Sequence, residues 1–165
     1  MQYHSGDKYA TPATEAKVTE YGVRGFPSMY FNGGNLVAGG STASYSQQTA
    51  VIDRELAKAP TMSIGGSLKL IGGITVAATV TNTSAAAISN AKLMVVLYED
   101  LGTDEHHYVV RDILTPTAVA SLAPGATQQF SVKSSYSGST AKLNAVVYLR
   151  ASNGEILQAA LAPIQ

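Results

Sequence analysis

The sequence predicts an α+β fold: a short αββα unit over residues 1–60, then an all-β sandwich over residues 61–165. Three observations carry this. Helix and strand signals alternate as far as Pro60, and only strand signals follow it. The 165-residue chain is 45% hydrophobic and 13% charged, a composition that builds cores rather than staying disordered. Turn residues then recur at regular spacing through the second part.

In the first part, "TPATEAKVTEYG" predicts a helix from about Pro12 to Tyr21. Thr11 is placed to cap it, Pro12 takes the first helical position, Glu15 lies in the first turn and Gly22 ends it. "FPSMYF" reads as a strand over Phe26–Phe31. "NGGN" at Asn32–Asn35 is a hairpin turn signal, and Leu36–Gly39 is the short return strand. A second helix is predicted over about Ser44–Lys58, with Ser41 or Ser44 as its cap. Ala50, Val51, Ile52, Leu56 and Ala57 form an apolar stripe at helical spacing, and Pro60 closes the segment.

The second part predicts strands at Met62–Leu70, Ile74–Asn82, Ala91–Glu99, His107–Leu114, Gln128–Val132, Leu143–Arg150 and Glu155–Ala162. Turn signals separate them: Gly72-Gly73, Asn82-Thr83-Ser84, Leu101-Gly102-Thr103, Pro124-Gly125 and Ser152-Asn153-Gly154. "VVYLRASNGEILQAAL" is the clearest hairpin, with Asn-Gly between two β-prone runs. About seven short strands in some hundred residues is the pattern of an immunoglobulin-like sandwich. Most apolar residues here are expected in its core.

Composition also excludes function classes. The net charge is zero and no basic run exists, so there is no electrostatic footprint for nucleic acid or an anionic membrane. No apolar stretch has membrane-spanning length, and "MQYHSGDKYA" shows no signal peptide. The chain holds no cysteine, which excludes disulfides, thiolate metal sites and thiol catalysis by its own residues.

"YGVRGFPSMYFNGG" resembles the proline loop of thioredoxins: Tyr-Gly-Val/Ile, a short turn, Gly-Ile-Pro-Thr, a strand, then Asn-Gly. The helix before it and the hairpin and helix after it agree in order and length, so the resemblance covers about Tyr3 to Ala59. It implies a cis Phe26–Pro27 peptide. It also implies that Gly25, Phe26 and Pro27 occupy positions whose backbone contacts extended substrate. The thioredoxin front, with its Cys-x-x-Cys helix, has no counterpart here. The chain opens near the third strand, around Gln2-Tyr3-His4, and the strand expected between that segment and Phe26–Phe31 is missing. A long apolar strand edge is then exposed, and such edges recruit partners. Three readings stay open: a part of a longer protein, a start other than Met1, or a remnant completed by another chain.

A thioredoxin-like unit followed by a sandwich resembles a bacterial family of outer-membrane lipoproteins and adhesins. "YHSGDKYATPATEAKVTEYGV", "DEHHYVVRDIL" and "NAVVYLRASNGEILQAAL" carry that likeness in this order. The resemblance implies the periplasm, outer membrane or cell surface.

Other candidate sites weigh less. Neighbouring side chains on a strand point to opposite faces, so His106 and His107, beside Asp104 and Glu105, read as a polar strand end ahead of a metal site. His4 and Asp7 read as a turn in which Asp7 bonds local backbone, ahead of a general base. No Gly-x-Ser-x-Gly elbow and no phosphate loop occurs. Tyr21 and Tyr30 are expected to pack at the proline loop, while Tyr45, Tyr108, Tyr136 and Tyr148 offer contact surface. The expected function is a non-catalytic structural or protein-binding module, without metal or cofactor. Its expected partner is a protein or a second copy, joined at the open strand edge in a homo-oligomer. The alternative is the thiol-free part of a longer thiol–disulfide oxidoreductase or disulfide-handling chaperone.

Overall fold

Thr11 caps the first helix, α1 (Pro12–Glu20). Its Oγ1 accepts from the Thr14 N–H at 3.2 Å, and Thr14 Oγ1 accepts from the Thr11 N–H at 2.9 Å. Two orphan donors of the first turn are thus met reciprocally. The computed structural model describes residues 1–102 and 106–165; Thr103, Asp104 and Glu105 lie outside the described residues. Gly22, at φ 59°, follows the helix in the left-handed conformation. Glu15 accepts from Ser5 Oγ at 2.7 Å and from the Gly6 N–H at 2.8 Å, tying the N-terminal segment to α1.

Next come β1 (Ser28–Phe31) and β2 (Gly34–Ala38), an antiparallel pair, and α2 (Thr42–Leu56). Ser41 caps α2, its Oγ accepting from the Ser44 N–H at 3.2 Å. Everything after α2 is strand and loop: β3 (Met62–Lys69), β4 (Thr75–Asn82), β5 (Lys92–Glu99), β6 (Val109–Ile113), β7 (Thr117–Ala118), β8 (Thr127–Lys133), β9 (Leu143–Arg150) and β10 (Ile156–Ala162). The fold is α+β.

Two antiparallel sheets face each other. One has the order β10-β9-β5-β6, with β7 also paired to β5; the other has the order β3-β4-β8. Leu93, Val95 and Leu97 of β5 and Leu143, Val147 and Leu149 of β9 meet Leu68, Val76, Val80 and Phe130 between the sheets. A bond from the Leu68 N–H to the Pro163 carbonyl at 2.8 Å stitches one edge of the sandwich. At Gly66 a Cβ would lie 3.0 Å from a Val147 methyl and 3.1 Å from Ala162 Cβ, so β3 approaches β9 and β10 that closely.

The first sheet is buried on its other face as well. Met94, Val96, Val110 and Tyr148 form a second apolar cluster there, and Tyr3 packs on it. The N-terminal unit covers this face through four attachments. Gln2 and β6 exchange backbone bonds: Gln2 N–H to the Tyr108 carbonyl at 2.9 Å, Val110 N–H to the Gln2 carbonyl at 3.0 Å. Glu20 of α1 pairs with Arg150. The Ile156 N–H donates to the Asn32 carbonyl at 3.1 Å. Lys58 reaches both Glu55 at 2.5 Å and Glu155 at 3.8 Å.

Several expectations change. The Gln2–His4 segment does not join a sheet with β1; Gln2 bridges Val109 in parallel instead, because β6 offers it an open edge. β1 is four residues long and half-buried, so its unpaired edge is short rather than long and apolar. The stripe on α2 is not buried: Ile52 is 43% and Leu56 78% exposed. A two-stranded sheet offers α2 too little apolar surface, and Val37 is its one buried apolar residue. The sixth strand starts at Val109 rather than His107, since Tyr108 takes a left-handed φ of 56°. Strand β7 carries too short a pattern to announce itself.

Asn82 is fully buried. Its Nδ2 donates to the Ala86 and Leu122 carbonyls at 2.8 and 2.9 Å, and its Oδ1 accepts from the Ser84 N–H at 2.9 Å. Asn82→Ala removes these three bonds and leaves the Ser84 N–H without its acceptor, and we expect a loss of about 1–3 kcal/mol in urea unfolding. The hairpin tip gives a second prediction. Gly33 has φ 79°, and a Cβ there would sit 2.2 Å from the Gly154 carbonyl oxygen. Gly33→Ala is expected to speed hydrogen exchange across β1 and β2 while that of β5 and β9 stays slow. Unchanged exchange at β1 would show that the two turns do not support each other.

Candidate functional site

The turn between α1 and β1 borders an open hollow of about 500 Å³. Gly25, Phe26 and Pro27 all line it, together with Tyr21, Tyr30 and Leu36. Its shape follows from local chemistry. The Phe26–Pro27 peptide is cis. Ser28 Oγ donates to the Gly25 carbonyl at 2.6 Å, and the Gly39 N–H donates to the Pro27 carbonyl at 2.8 Å. These two bonds hold the loop against β2. Tyr30 donates its hydroxyl to the Tyr21 carbonyl at 2.9 Å, with the two rings 4.6 Å apart, so the tyrosines pack at the loop. Burial pushes the Tyr21 phenol above its ordinary value.

Phe26 stands out of this frame, 65% exposed. Leu36 is 53% exposed on the adjoining strand. Among the described residues, none bonds the Phe26 N–H or carbonyl, and β1 pairs only with β2. The lining holds no carboxylate, histidine or thiol. Its chemistry is therefore that of contact: apolar surface next to unpaired backbone, with Arg24 as the cation at its border.

The histidines lie elsewhere. His4 Nδ1 meets Asp7 Oδ2 at 2.7 Å. Asp7 Oδ1 accepts from the Tyr9 and Ala10 N–H groups at 2.8 and 3.1 Å. The His4 hydrogen bond, joined by these backbone bonds, holds the Asp7 carboxyl below its ordinary value. Asp7 thus organises a turn. His4 packs edge-on against His106 and Tyr9, at 5.3 and 5.2 Å. His107 turns away to Asp100 at 2.8 Å. Asp104 and Glu105, the acidic partners considered for the histidine pair, lie outside the described residues. Among the described residues, no group of three or more His, Cys, Asp or Glu is placed to hold a metal ion.

Of the four tyrosines expected as contact surface, Tyr45 and Tyr108 are exposed, at 68% and 50%. Tyr148 is buried and belongs to the second apolar cluster. Tyr3 packs on that cluster, so Tyr148 works inside the junction between the N-terminal unit and the sheet. The sequence signal for this junction is "LMVVLY" at Leu93–Tyr98. A continuous apolar run marks a strand buried on both faces, whereas alternation marks one open face.

No family model and no curated protein matches the chain. Among solved structures, it aligns with a domain of the outer membrane lipoprotein Omp28 from Porphyromonas gingivalis. The TM-score is 0.42 and the identity 13%, over 66% of this chain and 93% of that one. It also aligns with the alkylpurine DNA glycosylase AlkC from Pseudomonas fluorescens, at TM-score 0.37 and 16% identity, over 74% of this chain and 38% of that one. A mutant β-glucosidase from Listeria innocua in complex with laminaribiose gives TM-score 0.37 and 16% identity, over 63% of this chain and 16% of that one. None of these likenesses is close enough to carry an argument about ligand or activity.

The Tyr3–Tyr148 pair gives the junction a pH signature. Burial, then the Tyr21 phenol, pushes Tyr148 up to about 12 from 10.0, and burial pushes Tyr3 up as well. A raised phenol contributes stability that is complete below the unfolded value and lost as pH rises through the folded one. Urea midpoints are therefore expected to hold to about pH 10 and to fall above it. Tyr3→Phe is expected to flatten that fall. A Tyr3→Phe profile parallel to wild type between pH 9 and 11.5 would place the alkaline transition elsewhere.

Proposed function

We infer that this chain is a non-catalytic protein-binding module, a thioredoxin-like remnant fused to an immunoglobulin-like sandwich in an exported bacterial protein. The envelope setting rests on the three stretches of sequence that resemble outer-membrane lipoproteins and adhesins. The binding reading rests on one observation. Phe26 projects 65% exposed from a braced loop, beside a strand edge with no partner among the described residues.

An extended protein segment fits that arrangement. It adds to the β1 edge through main-chain hydrogen bonds and places side chains in the hollow between Phe26 and Leu36. Four edge residues allow only a few such bonds, so side-chain contact with Phe26 supplies much of the affinity. The same edge serves a second copy of this chain, which makes a homo-oligomer part of the reading. Catalysis is not part of it: no carboxylate, histidine or thiol stands beside the Ser28 hydroxyl in the lining of the hollow. The alternative, a thiol-free part of an oxidoreductase, needs cysteines that these residues do not supply.

Panning a displayed library of extended decapeptides against the immobilised chain tests this. Enrichment that Phe26→Asp abolishes, and that Tyr45→Asp, outside the lining of the hollow, leaves intact, is the expected result. Enrichment indifferent to Phe26→Asp would remove the loop from the binding surface. In a dilution series by light scattering, Phe26→Asp is likewise expected to shift dimer toward monomer.

A further inference from the structure

A second hollow, of about 470 Å³, opens where the last turns of α1 pass over the ends of β5 and β9. Three cations and one carboxylate line it: Lys17 and Glu20 from α1, Lys92 from β5 and Arg150 from β9. Glu20 is shared. It meets Lys17 Nζ at 2.6 Å and pairs with Arg150 as well. Both cations are drawn out of water, with side chains only 12% and 24% exposed. Lys92 has no carboxylate partner among the described residues, and it sits directly opposite Arg150 in the β5–β9 register. Like charges in directly opposed positions destabilise a sheet.

The chain as a whole is neutral, so this excess is local. A recess that partly desolvates cations and compensates them with one carboxylate favours an anion. Met94 and Pro116 form an apolar wall beside the charges. We propose that this hollow is a binding site for a small organic oxyanion, a carboxylate or phosphate ester. Its charged head sits among Lys17, Lys92 and Arg150, and its apolar part lies against Met94 and Pro116. The site is separate from the Phe26 loop and shares no lining residue with it. It also gives the junction a purpose, because α1 and the sheet build it jointly.

Amide NMR titration of the full chain at constant ionic strength tests this, with inorganic phosphate in one arm, benzoate in another and chloride as reference. Saturable shifts are expected at Lys92, at the Ser152–Gly154 turn and at the Arg150 Nε–H. Saturation by benzoate alone assigns a carboxylate, and saturation by phosphate alone a phosphate ester. Lys92→Gln is expected to weaken binding about tenfold, as one of three charges is lost. Lys92 is an exposed strand residue, so this variant leaves the fold standing. Glu20→Gln is expected to tighten binding, since it removes the competing carboxylate. Shifts linear in concentration and equal to those with chloride would overturn the site. So would a midpoint unmoved by Lys92→Gln.

Discussion

The burial of β5 and β9 from both sides is the constraint on which the rest of this structure depends. Leu93, Val95 and Leu97 face the sandwich interior, and Met94 and Val96 face the other way. All five are buried. A two-sheet sandwich alone would leave Met94, Val96, Val110 and Tyr148 in water. Fully burying such a side chain is worth about 1.5–3 kcal/mol. The second cluster therefore demands a third layer, and the first sixty residues supply it. Tyr3 covers the cluster, and polar contacts around its border set the position: Gln2 on β6, Glu20 on Arg150, Asn32 on Ile156.

That division of labour explains why the N-terminal unit is so open elsewhere. Its structure is spent on one docking face. α2 leans on a two-stranded sheet and leaves Tyr45, Ile52 and Leu56 in solvent. The Phe26 loop is fastened by Ser28 and Gly39 to its own hairpin, with Phe26 exposed. A loop held rigid by neighbours yet exposed at its tip is suited to contact, since little freedom is lost when a partner meets it. The cationic hollow arises from the opposite situation. There the two parts of the chain meet, and charges brought together by that meeting outnumber their partners.

Polar groups supply the specificity of the sandwich itself. Asn82 is buried with its donors and acceptor satisfied, and it ties two loop segments, at Ser84–Ala86 and at Leu122, to one end of the sandwich. Glu99 of β5 and Arg111 of β6 meet at 2.6 Å across neighbouring strands. Gly66 and Gly33 mark two close approaches where a side chain has no room.

Local order was legible in the amino-acid sequence. Thr11, Pro12 and Gly22 announce α1, Ser41 and Ser44 offer the cap of α2 from which the structure takes Ser41, and Asn153-Gly154 announces the last hairpin, because caps and turns are decided within a few residues by hydrogen bonding and φ. The same holds for the change from mixed to all-strand grammar after Pro60, and for the loop at Gly25, Phe26 and Pro27. Pairing between distant segments was not legible. Nothing near Gln2 says that it bridges Val109, and helical spacing alone gives the stripe at Ile52 and Leu56 no partner. Tyr148 reads as surface until α1 and Tyr3 are laid over it. The cation cluster draws on residues 17, 92 and 150, whose meeting depends on strand register and on the docking of one unit on another. Sequence patterns report what a residue prefers locally; which face finds a cover, and which charges are brought together, is decided only when the layers close.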